Sequence, residues 1–160
     1  LLFQSPTCTP MDEATARTLA QIAGINIDEF AKEMFKAGSN LANKSVSEIC
    51  FQDFKEFHVN ELTFGVGQIN SMSSEELQEI REKVCPELPD VLKESGLDMV
   101  FFMLTNIVDQ STELLCCGGS ARQTVIDAFE LPEDTDQIVL NGVVSRKKQL
   151  IPTLVSELQQ

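Results

Sequence analysis

Leu97-Asp98-Met99-Val100-Phe101-Phe102-Met103-Leu104-Thr105-Asn106-Ile107 is the stretch that decides the fold class. From Met99 to Leu104 every residue is apolar and nothing alternates. A strand with one wet face alternates apolar and polar side chains, so an unbroken run is expected where both faces of a sheet are covered. The run is also too short for a membrane helix, which takes about 20 apolar residues. It predicts a central strand buried on both sides.

Working outward, Ser73 with Glu76 caps a charged helix carrying Leu77, Ile80 and Val84. Pro86 and Pro89 are expected to interrupt it before it resumes through Val91 and Leu92, because proline cannot donate the helical hydrogen bond. Upstream, Glu56 to Val59 and Leu62 to Ile69 predict a strand pair joined by a tight turn at Asn60 and Glu61. Downstream, Glu113 to Cys117 predicts a strand that Gly118-Gly119 turns into a helix from about Ala121 to Phe129. Gln137 to Leu140 is a further candidate strand before the turn dipeptide Asn141-Gly142, and Gln149 to Leu158 is expected to be helical, with Pro152 disturbing or starting it.

Three helix starts precede the strands. Thr9-Pro10 with Asp12 opens a helix to about Ala23, with Leu19, Ile22 and Ala23 on its apolar face and Gly24 as its stop. Asn26 with Glu29 opens a second, through Phe30, Met34 and Phe35 to Gly38, and Ser45 with Glu48 a third, with Val46, Ile49 and Cys50. Strands alternating with helices, one pair of them a hairpin, imply an α/β fold: a single domain over residues 1–160 with a mixed β-sheet flanked by helices.

Composition narrows the function. At 160 residues with 42% hydrophobic and 23% charged residues, the chain has enough apolar content for a buried core. Its net charge of −13 opposes nucleic acid and anionic membranes as partners. No positively charged segment precedes an apolar one at the N-terminus, so a secretory signal is not expected, and opening at Leu1-Leu2-Phe3 without Met suggests a fragment boundary or an engineered start. Cys8, Cys50, Cys85, Cys116 and Cys117 form an odd set without a CxxC pair. They suit reduced thiols in a cytoplasmic protein better than a zinc site or a disulfide framework.

On so acidic a chain, Ser145-Arg146-Lys147-Lys148-Gln149 stands out, with three of the 12 basic residues together. A guanidinium offers a planar fork of donors to phosphate oxygens and a lysine a compact mobile charge, and a helix start here would add its own N–H groups. From composition alone a solvated basic turn is the favoured reading. Lys36, just before Gly38, is accounted for as a cation offsetting a helix dipole. His58 is the only histidine and reads as structural or exposed; Asp109 reads as a loop residue that caps or turns. No HExxH arrangement, nucleophile elbow or phosphate loop is present.

Ser5-Pro6-Thr7-Cys8-Thr9, Glu33-Met34-Phe35-Lys36-Ala37-Gly38 and above all Val143-Val144-Ser145-Arg146-Lys147-Lys148-Gln149 resemble the C-terminal (DHHA2) domain of family II, manganese-dependent inorganic pyrophosphatases, in order and over essentially the whole chain. The resemblance implies a substrate-binding domain that closes over pyrophosphate against an N-terminal DHH domain holding Mn²⁺ or Mg²⁺. By position, Lys36, Arg146 and Lys147 would be the substrate-binding cations, with Ser145, Lys148 and Gln149 in supporting roles. The family's last metal-binding Asp would fall just before Leu1, so no metal ligand is expected here and the isolated chain is expected to be inactive. Two alternatives stay open: the DHHA2 domain of an exopolyphosphatase, and a non-catalytic module for phosphate or nucleotide anions.

Overall fold

The computed structural model describes residues 3, 5–38 and 44–159, without the side chains of residues 36 and 38. One sheet runs in the order β1 (Phe54–Val59), β2 (Leu62–Ser71), β3 (Met99–Asn106), β4 (Ser111–Cys117) and β5 (Val139–Asn141). β2 and β3 are parallel and the other neighbours antiparallel, which is the mixed sheet the hairpin implied. Connection length explains the directions. Asn60, with φ of 55°, sits in the turn that sends β2 back along β1. β2 can reach a parallel β3 only over a long crossover, and helix α4 (Ser74–Ser95) supplies it.

All eight residues of β3 are buried. Val100, Phe102 and Leu104 pack toward α3 (Val46–Phe51) and α4. Met99, Phe101 and Met103 pack toward α5 (Ala121–Ala128) and α6 (Ile151–Leu158). Two apolar layers, one on each face, are why the strand does not alternate. Cys116 and Cys117 divide the same way, one into each layer.

α4 corrects an expectation: it runs unbroken through Pro86 and Pro89. Both prolines are exposed, so the carbonyls that lose a helical partner face water. Opposite them, Leu77, Ile80, Val84, Leu88 and Val91 form a buried stripe on the sheet. Five such burials at roughly 1.5–3 kcal/mol each outweigh two internal prolines at about 3 kcal/mol each.

The N-terminal caps form as expected. Thr9 Oγ1 accepts the Asp12 N–H at 3.3 Å while the Thr9 N–H donates to Asp12 Oδ2 at 2.8 Å, starting α1 (Pro10–Ala23). Gly24, at φ 66°, ends it in the left-handed region that suits glycine. Asn26 Oδ1 accepts the Asp28 and Glu29 N–H groups at the start of α2 (Ile27–Gly38). The apolar faces of these two helices, however, are not core. Met11, Leu19, Ile22, Phe30 and Met34 are each more than half exposed, and only Ala20 in α1 and Ala31 among the described side chains of α2 are buried.

Two further differences lie at the C-terminal end. The last strand is Val139–Asn141 rather than Gln137 to Leu140. The terminal helix starts earlier than expected, as a π-helical turn at Arg146–Leu150, and continues as α6 with Pro152 in its first turn. Proline is tolerated there because the Lys148 carbonyl, which loses its helical donor four residues on, belongs to an exposed residue where water can replace the bond. Among the described residues, no helix is long and apolar enough to cross a membrane.

Candidate functional site

β2 and β3 end, and β4 begins, at the same margin of the sheet, and the basic turn is bolted to it. Gln68, half-buried on β2, has its Nε2 3.1 Å from each of Val144 O, Thr105 Oγ1 and Asn70 Oδ1, three acceptors that share its two N–H protons. Thr112 Oγ1 donates to Val143 O at 2.5 Å. That commits the Thr112 proton, so in the 2.9 Å pair with Thr105 the donor is Thr105. The Thr105 hydroxyl therefore donates to Thr112, and the Thr112 hydroxyl to the backbone entering the turn. Val144 and Leu150, both buried, anchor its two ends.

Within the turn, Ser145 and Gln149 hold the backbone. Ser145 Oγ accepts the Lys148 N–H at 3.2 Å, and Ser145 O accepts the N–H groups of Gln149 and Leu150 at 3.0 and 3.2 Å. The second of these spans five residues, which makes the turn π-helical; such turns recur at functional sites. Gln149 Oε1 accepts the N–H groups of Val144 and Ser145, and its Nε2 donates to Gly142 O at 2.6 Å. The free N–H groups expected at a helix start are thus already taken at 148, 149 and 150.

The three cations of the turn differ sharply. Lys147 and Lys148 are exposed, with no side-chain partner among the described residues. Arg146 is only 13% exposed and reaches away from them, to Asp53 and the Val66 carbonyl. Lys36 belongs to α2, and its side chain lies outside the described residues.

The other candidates keep their plainer readings. His58 is exposed on β1. Asp109 Oδ2 accepts from Asn106 Nδ2 at 2.8 Å and so ties down the β3–β4 loop. The Cys50 and Cys116 thiols are pushed up to about 12 by burial, which makes them poor nucleophiles. Among the described residues, no three His, Cys, Asp or Glu side chains are grouped to hold a metal ion. A cavity of about 250 Å³ between α4 and β4 contains none of the basic-turn residues. Its arginines are engaged: Arg81 with Glu113, and Arg122 with the carbonyls of Thr135 and Asp136.

Residues 32–156 match the family model of the DHHA2 domain. The chain belongs to the DHHA2 family. It is 40% identical over 154 residues to a cobalt-dependent inorganic pyrophosphatase of Clostridium perfringens, a match covering 96% of this chain and 28% of that protein. It is 36% identical over 159 residues to a protein assigned as a manganese-dependent inorganic pyrophosphatase in Bacillus cereus, covering 99% of this chain and 51% of the relative. Among solved structures, a Methanococcus jannaschii protein assigned to the family II inorganic pyrophosphatases superposes with a TM-score of 0.80 at 35% identity, over 99% of this chain and 51% of that one. This DHHA2 chain therefore spans about half the length, or less, of these relatives.

Proposed function

We propose that this DHHA2 chain is the substrate-binding part of an inorganic pyrophosphatase, hydrolysing diphosphate to two phosphates together with a metal-binding DHH unit that the chain itself does not contain. The observation that carries the reading is the basic turn: a backbone pinned by Ser145, Gln149, Gln68 and Thr112, presenting Lys147 and Lys148 without a side-chain partner among the described residues on a molecule of net charge −13. A solvated surface turn has no need of so many fixed contacts. The names of the relatives point to the same chemistry and to Mn²⁺ or Co²⁺ as the ion, with Mg²⁺ a further candidate. The described residues do not group to hold a metal ion, so in this reading the ion belongs to the DHH unit.

In this reading Lys147, Arg146 and, from α2, Lys36 receive the phosphoryl group that leaves. A cation about 4 Å from a phosphate oxygen is worth roughly 1 kcal/mol in bulk water but roughly 4 kcal/mol at the effective dielectric of a protein surface. The cations therefore gain most when a second unit covers the site and expels water, and the stabilisation grows as charge builds on the departing phosphate. The exposed apolar side chains of α1 and α2 support the presence of such a covering unit. Residence in the cytoplasm belongs to the same reading and fits the free thiols.

The test is phosphate release from diphosphate, with Mn²⁺, Co²⁺ or Mg²⁺, by the full-length protein and by residues 1–160 alone. Turnover by the first and none by the second is expected. Robust turnover by residues 1–160, or none by the full-length protein under any of the three ions, would refute the reading. A preference for long polyphosphate over diphosphate would move it to the exopolyphosphatase alternative.

A further inference from the structure

Arg146 does not stand free in the basic turn, and the residue that holds it lies 93 positions earlier. Its Nη1 donates to Asp53 O at 2.7 Å and to Val66 O at 3.0 Å, and its Nη2 donates to Asp53 Oδ1 at 2.7 Å. Asp53 thus grips both terminal nitrogens, one with its backbone and one with its side chain. The Asp53 carbonyl is itself fixed, since it also accepts the Gln68 N–H at 3.2 Å. Three of the five guanidinium donors are used this way. Two are left, the Nε–H and the second N–H on Nη2, with no partner among the described residues.

From this geometry we infer that Asp53 is a positioning residue for anion binding: it locks the plane of Arg146 so that the two remaining donors are presented as a prearranged pair to a phosphate group. The inference rests on the proposed function and deepens it. A free arginine side chain loses about 2 kcal/mol of rotamer freedom when a ligand fixes it. An arginine already clamped by three hydrogen bonds has met that cost on folding, so the anion binds more tightly than to the same residue left mobile. The asymmetry of burial agrees: the Arg146 side chain is 13% exposed, whereas the Asp53 side chain is 49% exposed. The carboxylate is thus partly screened by water and subtracts only part of the charge that Arg146 offers.

The experiment uses the full-length protein and compares kcat and KM for diphosphate in Arg146→Ala, Asp53→Ala, Asp53→Asn and the double variant Asp53→Ala/Arg146→Ala, with thermal melting in parallel. Asp53→Ala is expected to raise KM about tenfold, while Asp53→Asn, which keeps an oxygen acceptor at the same reach, stays within about threefold of the unsubstituted protein. In the Arg146→Ala background, Asp53→Ala is expected to add nothing, since it acts through the missing guanidinium. Should Asp53→Ala misfold, Asp53→Ser, which also lacks the reach, carries the same expectation. Unchanged KM in Asp53→Ala, additive effects in the double variant, or tighter binding would each overturn the positioning role while leaving the function intact, tighter binding meaning that the carboxylate competes with the anion. Unchanged kinetics in Arg146→Ala would overturn the proposed function and this role together.

Discussion

Gln149 and Ser145 hold each other twice: the Gln149 N–H donates to Ser145 O at 3.0 Å, and Gln149 Oε1 accepts the Ser145 N–H at 2.9 Å. The side chain thereby closes a loop that the backbone alone leaves open, and its Nε2 extends the closure to Gly142 O. Gln149→Ala removes three side-chain hydrogen bonds at once. Each is worth about 1 kcal/mol net where water can replace the lost partner. In the full-length protein we expect KM for diphosphate to rise about tenfold, the equivalent of roughly 1.4 kcal/mol, with kcat reduced less. Kinetics at fixed ionic strength check this; a variant with unaltered KM would show that the turn keeps its shape without the amide.

Lys147 and Arg146 separate in a second prediction. Lys147 is exposed and unpartnered among the described residues, so Lys147→Ala is expected to weaken anion binding and flatten its salt dependence while leaving the melting temperature within about 1 °C. Arg146 also ties the turn to Val66 and Asp53. Arg146→Ala is therefore expected to lose anion binding and stability together. Hydrogen bonds from a charged group contribute roughly 1.5–3 kcal/mol, and for a chain of this length that is a fall of roughly 5–10 °C. Paired melting curves and phosphate titrations at two salt concentrations distinguish the two residues.

What the sequence made legible follows from the range of the interactions. Helix caps are local, so Thr9 with Asp12 and Ser45 with Glu48 could be read from residues three apart. β3 was legible because full burial leaves a continuous apolar signature. The unbroken α4 was not, since two prolines signal locally whereas the stripe that overrides them depends on the sheet beneath. The apolar face of α1 had the right period for a core, but periodicity does not reveal what covers a face. At the site, the basic turn showed as composition, whereas Asp53 and Thr112 carry no local signal, because their partners are 93 and 31 residues away. Gln68 could have been suspected: a polar side chain amid Gly65, Val66, Gly67 and Ile69 needs a partner.

Acid should loosen the fold through the carboxylates that accept backbone hydrogen bonds. The Thr63 N–H and hydroxyl donate to Asp98 Oδ2 at 2.7 and 2.8 Å, holding its carboxyl below the ordinary value. Asp12 and Glu48 are lowered in the same way by Thr9 and Ser45. A pKa lower in the folded than in the unfolded chain means that the stabilisation is fully present above the unfolded value. It is lost as pH falls through the folded one. The melting temperature is thus expected to hold above pH ~5 and to fall below pH ~4, near the unfolded carboxylate values. Asp98→Asn should be less stable at neutral pH and show a shallower acid decline. Parallel curves for the variant and the unsubstituted protein would remove Asp98 from the acid response.

Gly67 offers a test of the core that needs no ligand. A Cβ built on it would lie 2.5 Å from the Phe102 ring and 3.0 Å from the Cys50 carbonyl, one a side chain and the other backbone. The strand is therefore glycine here because the Phe102 ring occupies the space a side chain would take, pressed from above by α3. Gly67→Ala must push the ring aside, and overpacking of this kind costs about 1–3 kcal/mol. Phe102→Leu alone loses ring contacts and opens a void, but it also frees the place where the new methyl would sit. The two substitutions share that volume, so together they should destabilise by less than the sum of their separate effects. Urea unfolding of the four proteins measures the coupling. Strict additivity would mean that the ring does not occupy the space over Gly67.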